Sequence, residues 1–477
     1  MKETGSAKPK DIRPRTVVLG AGTCGLAAGW ELTRNGYPVT VLEKKADIGG
    51  LTGRTIINNN IYEYGTHVFH TDNQTLKSEL CDLMGSYLFE FDRGSRLYIK
   101  FFNKYFRYPL NGADFIKGLP FHLLIHCGFD FIIYSFLDIF KKDKYANGEE
   151  VLVYKFGRRL YEIFFRDYSA KQWGRPLTEL DAEFVKTRIT RGDIFKFVKD
   201  LLEKTKLLKK IKSHPLTESV IGKLYYTEDG IYGIPDRLRN YIKSNGGEVK
   251  CQCEVEAIVP CGEKVRIMYK TPEGVKQIEA DQLISSIPLP VFIKCFSNVP
   301  AEVKAAAERL HFRALIVLGL LVNKRPVTNA ICFYFQDKVY NRLAEPTNHG
   351  LRTASENTSI LLLELACDLG DKVWDFDDDL AESMIQDLIK EKFIERKDII
   401  EYHKLKISHA YPVYHVGYQD DLKKVLDYVH QFDNIQSVGR QGQFSYVNIH
   451  KTMQMGMKAS ENIIRRNTPE VKHGTCT

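Results

Sequence analysis

The sequence predicts an α/β fold: a βαβ domain assembled from separated stretches of chain, with a helical domain and a mixed, partly antiparallel β-sheet inserted into it. Three observations predict it. An apolar β-run from Thr16 to Leu19 leads into Gly20-Ala21-Gly22-Thr23-Cys24-Gly25, a small-residue helix, and a second β-run closed by Glu43. Residues 76–215, rich in Phe, Tyr and Lys, read as largely helical. Near the C-terminus the order strand, glycine, helix returns between Asn434 and Asn448.

The first of these is a Rossmann-type dinucleotide-binding pattern. Gly20 permits the tight turn, Gly22 lets the backbone approach a pyrophosphate, and Gly25 lets helix and strand pack closely. The helix N-terminus offers N–H groups and a positive dipole to phosphates. Glu43, eighteen residues after Gly25, is placed to accept hydrogen bonds from a ribose. A Gly-rich turn alone would be weak; strand, helix, second strand and terminal acid together carry the reading. Directly after the acid comes Asp47-Ile48-Gly49-Gly50-Leu51-Thr52-Gly53-Arg54. This resembles the double-glycine extension of the flavoprotein superfamily that holds amine oxidases, protoporphyrinogen oxidases and UDP-galactopyranose mutases. The resemblance implies FAD rather than NAD. The expected architecture is therefore a discontinuous Rossmann-type FAD-binding domain, with an inserted helical domain and a mixed/antiparallel β-sheet substrate domain.

Bulk properties agree with a globular protein of two or three packed units: 477 residues, 44% hydrophobic and 27% charged. The net charge of +8 suits an anionic substrate such as a nucleotide diphosphate, or weak attraction to acidic membranes. No run of like charge suggests a nucleic-acid arm. Ten cysteines without metal spacing point to reduced thiols and a cytoplasmic setting. Cys251 and Cys253 are expected to share a strand face. The apolar segment Leu119 to Phe140 approaches bilayer-spanning length, yet carries His122, His126, Asp130 and Asp138. Buried or interfacial helices are expected there rather than a span, with peripheral membrane contact left open.

In order, residues 1–15 read as a flexible leader and 16–75 as the FAD-binding βαβ unit with a flavin loop. The helical substrate domain is expected over 76–215, a return to the FAD domain over 216–275, and the mixed-sheet substrate domain over 276–430. A C-terminal FAD-binding segment, 431–466, and a tail, 467–477, complete the chain. Leu315 to Val322 reads as a fully buried strand.

Three clusters could carry chemistry. Tyr64-Gly65-Thr66-His67-Val68-Phe69-His70-Thr71 puts a glycine before a polar turn, where backbone could lie against a flat ring. Phe164-Phe165-Arg166-Asp167-Tyr168 continues to Lys171-Gln172-Trp173-Gly174-Arg175-Pro176, offering aromatic planes and cations, with helix packing as the plainer account. Gly439-Arg440 to Tyr446-Val447-Asn448 brings glycines, a cation and a phenol to a helix start.

All three resemble motifs of the UDP-galactopyranose mutase family, in the same order along the chain. Val339-Tyr340-Asn341-Arg342, Ala410-Tyr411-Pro412-Val413 and Phe106 to Asn111 resemble further motifs of that family. The resemblance implies that Trp173 stacks on uracil, Arg191 and Arg342 clamp the diphosphate, and Tyr168, Tyr411 and Tyr446 donate hydrogen bonds to it. It adds Phe165 and Asn111 to the substrate residues and places His67 beside the flavin. For the cofactor it implies Gly20, Gly22, Gly25, Glu43, Gly49, Gly50, Leu51, Thr66, His67, Val255, Gly439, Arg440, Asn448 and Ile449. Asn448 stands where the family usually has an acid, and Phe444 replaces a common tyrosine.

The activity so implied is redox-neutral ring contraction of a nucleotide sugar, UDP-galactopyranose to UDP-galactofuranose in type, begun by attack of reduced FAD N5 on the anomeric carbon. No Ser-His-Asp or Cys-His nucleophile motif competes with that. NAD(P)H is a candidate external reductant, and no metal is expected. The alternative is an FAD-dependent oxidoreductase of the amine oxidase, protoporphyrinogen oxidase or desaturase type. It predicts net redox turnover and gives the two arginines no special task.

Overall fold

The computed structural model describes residues 13–91, 97–101, 104–108, 118–141, 145–186 and 223–467. They belong to two compact units. The first takes in the chain through Gly50, Pro235–Lys304 and Lys424 onward; the second takes in Leu51–Ile234 and Ala305–Lys423. These boundaries differ from the expected ones. The unit expected to hold FAD ends at Gly50 rather than 75, its return runs from 235 to 304 rather than 216 to 275, and the sheet region narrows to 305–423. The reason for the later limit is strand pairing. Gln282–Ser285, expected in the substrate sheet, lies parallel to Thr16–Leu19, with Thr16 opposite Gln282.

The first unit is built on a five-stranded parallel sheet in the order Ile435–Ser437, Gln282–Ser285, Thr16–Leu19, Val39–Leu42, Glu248–Lys250. Its central strands are short apolar runs buried on both faces, as parallel sheets covered by helices require. Helix Thr23–Arg34 packs on the C-terminal helix Ile449–Asn467. The contact is close because Gly456 has no side chain: a Cβ there would come within 2.2 Å of the Cys24 carbonyl oxygen. The Ser460 hydroxyl donates to the Ala28 carbonyl at 2.9 Å across the same contact. A separate antiparallel sheet holds Glu254–Cys261, Lys264–Thr271 and Gly274–Ala280. The segment holding Cys251 and Cys253 is not one strand: Glu248–Lys250 ends, Gln252 takes φ +54° and a new strand starts at Glu254. Cys251 and Cys253 therefore lie between strands and not along one face.

The second unit carries a seven-stranded mixed sheet in the order Ile399–Pro412, Phe312–Val322, Ser359–Cys367, Arg342–Ala344, Cys332–Phe335, Leu97–Phe101, Lys104–Tyr108. Phe312–Val322 is buried along its whole length, in keeping with its unbroken apolar run. The pair Leu97–Phe101 and Lys104–Tyr108 falls in the region expected to be helical; it joins the sheet because Leu97–Phe101 runs parallel to Cys332–Phe335. Helices follow from Phe121. A π-helical turn, Tyr161–Arg166, precedes Asp167–Trp173, a geometry that often marks functional segments. Phe121–Phe140 is a single helix whose one buried residue is Cys127, so of the two expectations, a buried or an interfacial helix, the buried one does not hold.

Within this unit Glu63 is a buried carboxylate. It accepts from the Ile231 amide at 2.8 Å and from the Tyr226 hydroxyl. Burial pushes its carboxyl up to about 7, with Tyr226, Ile231 and Arg54 pulling the other way. A raised folded value means the folded protein binds more protons than the unfolded chain between about 4.5 and 7. This contribution to stability is complete below pH 4.5 and is lost as pH rises through 7, a change of roughly 3 kcal/mol. Chemical denaturation at pH 5 and pH 8 should show that loss in the wild type and a flatter profile in Glu63→Gln, whose amide can still meet both donors once the Tyr226 hydroxyl turns.

Candidate functional site

In the first unit the glycine loop has the shape a dinucleotide needs. Gly20 has φ +92°, and a Cβ on Gly25 would fall 1.9 Å from the Gly20 carbonyl oxygen, so the turn closes only because position 25 is bare. The second glycine pair lies against the first. Gly22 and Gly49 form a parallel bridge, the Gly49 amide donates to Ala21 O at 2.8 Å, and a Cβ on Gly50 would meet Gly22 Cα at 3.2 Å. Glu43 is buried; its Oε2 accepts from the Ala21 amide at 2.8 Å and its Oε1 from the Lys45 amide at 2.9 Å. It thus braces the loop, and a carboxylate has lone pairs left for ribose hydroxyls. No side chain caps the N-terminus of Thr23–Arg34, and its first turn holds no acid. The C-terminal segment closes on the same end: a Cβ on Gly439 would come 2.6 Å from Cys24 Sγ. A cradle that added Cβ atoms would fill, beside an uncapped helix N-terminus, fits a bound dinucleotide.

Arg440 follows Gly439 in a short helix; its guanidinium lies 4.4 Å from the Tyr446 ring centre and donates to Val447 O at 3.2 Å. Asn448 precedes the helix that starts at Ile449, and its carbonyl accepts from the Thr452 amide and hydroxyl, each at 3.0 Å. Val255 is a half-buried strand residue opposite Tyr269. Leu51 sits in the turn Gly50–Thr52 and is counted with the second unit.

The second unit gathers the other cluster. Arg342 stands directly opposite Glu364 in antiparallel register, the arrangement that favours opposite charges across a ladder. Its Nε donates to Glu364 Oε2 at 2.9 Å, and one Nη donates to the same oxygen. The other oxygen, Oε1, accepts from the Thr66 amide at 2.7 Å. Gly65, at φ +117°, carries its backbone over that carboxylate. Burial works against the Arg342 charge, but Glu364 and then Tyr411 more than offset it, holding the guanidinium above the ordinary arginine value. Arg342 also donates to the Tyr411 hydroxyl at 3.5 Å. The Thr66 hydroxyl is buried and has no partner.

Tyr168 faces Tyr334, ring centres 6.1 Å apart. Burial pushes its hydroxyl well above the usual phenol range, Tyr334 adds to this, and Arg342 pulls the other way. His67 turns its Nδ1 to Gly65 O at 3.1 Å. Phe165, half-buried in the π-helical turn, tilts against Phe156 at 4.9 Å. Trp173 is only 4% exposed and meets Phe184 and Tyr411 edge-on, so what the structure shows of it is aromatic packing, the plainer of the two accounts. Arg191 and Asn111 lie outside the described residues.

Three residues escaped the sequence reading. Glu364, the anchor of Arg342, is the one charge in the buried strand SILLLELAC, and that lone carboxylate was the available signal. Lys171 was quoted within its motif but given no role. Its ammonium donates to the carbonyls of Phe335, Lys338 and Tyr340 at 2.6, 2.9 and 3.0 Å, tying helix Asp167–Trp173 to the turn that leads into Arg342. Burial pushes that ammonium down to about 8, opposed by Asp337 and Asp387. Tyr334 gives no cue in a run that reads as plain strand.

The chain is 27% identical over 176 residues to a protein described as a probable UDP-galactopyranose mutase from Klebsiella pneumoniae, covering 36% of this chain and 44% of that one. It is 25% identical over 190 residues to UDP-galactopyranose mutase of Mycoplasma pneumoniae, covering 35% and 42%. The matched chain thus spans less than half the length of these curated relatives. A crystal structure of reduced UDP-galactopyranose mutase superimposes with a TM-score of 0.79 at 19% identity, over 95% of this chain and 94% of that one. A putrescine oxidase structure gives 0.64 at 14% identity, over 95% and 99%. At such identities these structures show the shared fold. Residues 23–463 match the flavin containing amine oxidoreductase family, to which the chain therefore belongs, with a flavin as its cofactor.

Proposed function

We propose that the protein is a flavin-dependent mutase that interconverts the six- and five-membered ring forms of a nucleotide-diphosphate sugar of the UDP-galactose type. One observation carries this reading: Tyr168, Arg342 and Tyr411, from distant stretches of sequence, converge in one buried cluster with Thr66 and Glu364. A fork of N–H donors flanked by phenols is the equipment for gripping a diphosphate through its departure and return. The mutase names among the relatives support the same reading.

In this proposal Gly20, Gly22, Gly25, Glu43, Gly49, Gly50, Gly439 and Arg440 hold FAD, with Val255, Asn448 and Ile449 completing the cradle, and Thr66 and His67 serve its flavin end. When bound and reduced, FAD supplies a nucleophilic nitrogen for the anomeric carbon. Arg342, steered by Glu364, takes the charge that develops on the leaving diphosphate, and Arg191 serves as its second clamp. Tyr168, Tyr411 and Tyr446 donate to phosphate oxygens. Phe165 and Asn111 line the nucleoside end, with Trp173 packed edge-on against Tyr411. NAD(P)H is the proposed reductant.

The test is to reduce the purified protein anaerobically and add UDP-galactopyranose. Chromatography should show a furanose isomer while the flavin stays reduced. Flavin reoxidation coupled to substrate oxidation, with no isomer, would instead establish an oxidoreductase, the activity that the family as a whole suggests.

A further inference from the structure

We propose that helix Phe121–Phe140 lies in the plane of a lipid bilayer containing anionic lipids and holds the protein to that surface. The helix is long and apolar enough to cross a membrane by length and composition. Its two carboxylates, however, are engaged by the protein, while His122 and His126 are exposed. Asp130 accepts from the Arg159 amide at 2.8 Å, Asp138 accepts from the Tyr145 hydroxyl, and Cys127 is buried against Phe106, Leu119, Leu160 and Phe164. A Cβ on Gly157 would come 2.9 Å from the Asp130 backbone, so the helix is docked tightly there. The opposite face is the unusual one. Phe121, Phe129, Ile132, Phe136, Ile139 and Phe140 recur at helical spacing and are each more than half exposed. Single exposed apolar residues are ordinary, but a contiguous stripe along a whole helix is not.

A lipid surface suits this stripe better than a second copy of the chain. A helix of 20 residues is about 30 Å long and about 10 Å across, so its outer half offers a footprint on the order of 300 Å². A standard protein interface needs roughly 800 Å² from each partner. An interfacial helix has no such threshold, because its affinity grows with each apolar side chain buried at the headgroup boundary. Cations border the stripe. Lys104 reaches Gly118 O at 3.3 Å just ahead of the helix, and Arg158 and Arg159 stand beside its middle, paired with Glu149 and Glu162. Lys141 stands at its C-terminal end, paired with Glu150, and the whole chain carries +8. Positive flanks beside an apolar face complement an acidic leaflet.

The test is flotation of the flavin-loaded protein with vesicles of phosphatidylcholine alone and of phosphatidylcholine mixed with phosphatidylserine. Wild type should float with the mixed vesicles, and a triple variant, Phe129→Glu with Ile132→Glu and Phe136→Glu, should bind at least ten-fold less. Its flavin absorbance should match wild type, since the three side chains are exposed. Ile132→Trp gives a second readout: brominated lipid should quench its added fluorescence. Wild type that stays unbound, a triple variant that floats equally, or an absence of quenching overturns the proposal. Retention through an alkaline carbonate wash overturns it in favour of a span. A wild-type dimer that the triple variant abolishes, with no flotation, assigns the face to a second copy.

Discussion

Arg342→Ala is expected to lower turnover with UDP-galactopyranose by about 100-fold or more while the protein keeps its flavin. The guanidinium is held from behind, by a carboxylate opposite it in the ladder that is itself fixed by the Thr66 amide. Its charge is therefore pre-oriented, and the proposed departure of a diphosphate needs no reorganisation of it. Arg342→Lys should recover little, because a point charge lacks the fork that meets two oxygens at once. Alanine also strands Glu364, 1% exposed, without its partner. An unpaired buried charge costs about 3 kcal/mol or more, so the variant should also melt lower. Glu364→Gln separates the two effects: it keeps an acceptor for Thr66 and removes the stranded charge. Placed in the Arg342→Ala background it should restore stability and leave turnover low. The readouts are kcat of the reduced enzyme, the flavin spectrum and thermal unfolding. Near-normal turnover of Arg342→Ala with an intact spectrum would remove Arg342 from the reaction.

Gly25→Ala should yield a protein that retains little or no flavin. The added methyl would sit 1.9 Å from the Gly20 carbonyl oxygen and 3.1 Å from its carbon, and both are backbone atoms that can move only by opening the turn. Overpacking of this kind costs on the order of 3 kcal/mol even where neighbours can yield. Opening the turn also moves the first N–H groups of helix Thr23–Arg34 off the phosphate position. Absorbance near the flavin bands after gel filtration measures the loss. Gly128→Ala is the control, since nothing lies within 4 Å of its Cβ position and helix interiors favour alanine over glycine. A yellow, fully loaded Gly25→Ala protein would refute the close-packed turn.

The cradle was legible in advance because its parts are neighbours in sequence. Strand Thr16–Leu19, the glycine turn, helix Thr23–Arg34 and strand Val39–Leu42 occur within one short stretch, each recognisable from its own period and punctuation. Even its second half, at Gly439 and Ile449, repeats the same local order. The buried strand Phe312–Val322 was legible for a similar reason, its apolar run being self-contained. Segments whose state depends on distant partners read less well. Leu97–Phe101 looked no different from its helical surroundings, and only parallel pairing with Cys332–Phe335 makes it a strand. Cys251 and Cys253 seemed to alternate in one strand, yet the chain turns at Gln252 to leave the parallel sheet. Trp173 could be marked by type, but whether its indole lies open or packed is settled by Phe184 and Tyr411.

By itself, then, the amino-acid order laid out the βαβ dinucleotide-binding pattern and carried the resemblance to the amine oxidase flavoproteins. The tertiary structure alone decided that Glu364 stands behind Arg342, that Lys171 ties down the turn leading into it, and that one side of Phe121–Phe140 remains uncovered. The physical reason is range. Glycine spacing and helix periodicity act over a few residues and leave their mark in the sequence, whereas strand register and the choice of which helix face is buried arise from contacts between segments far apart in the chain.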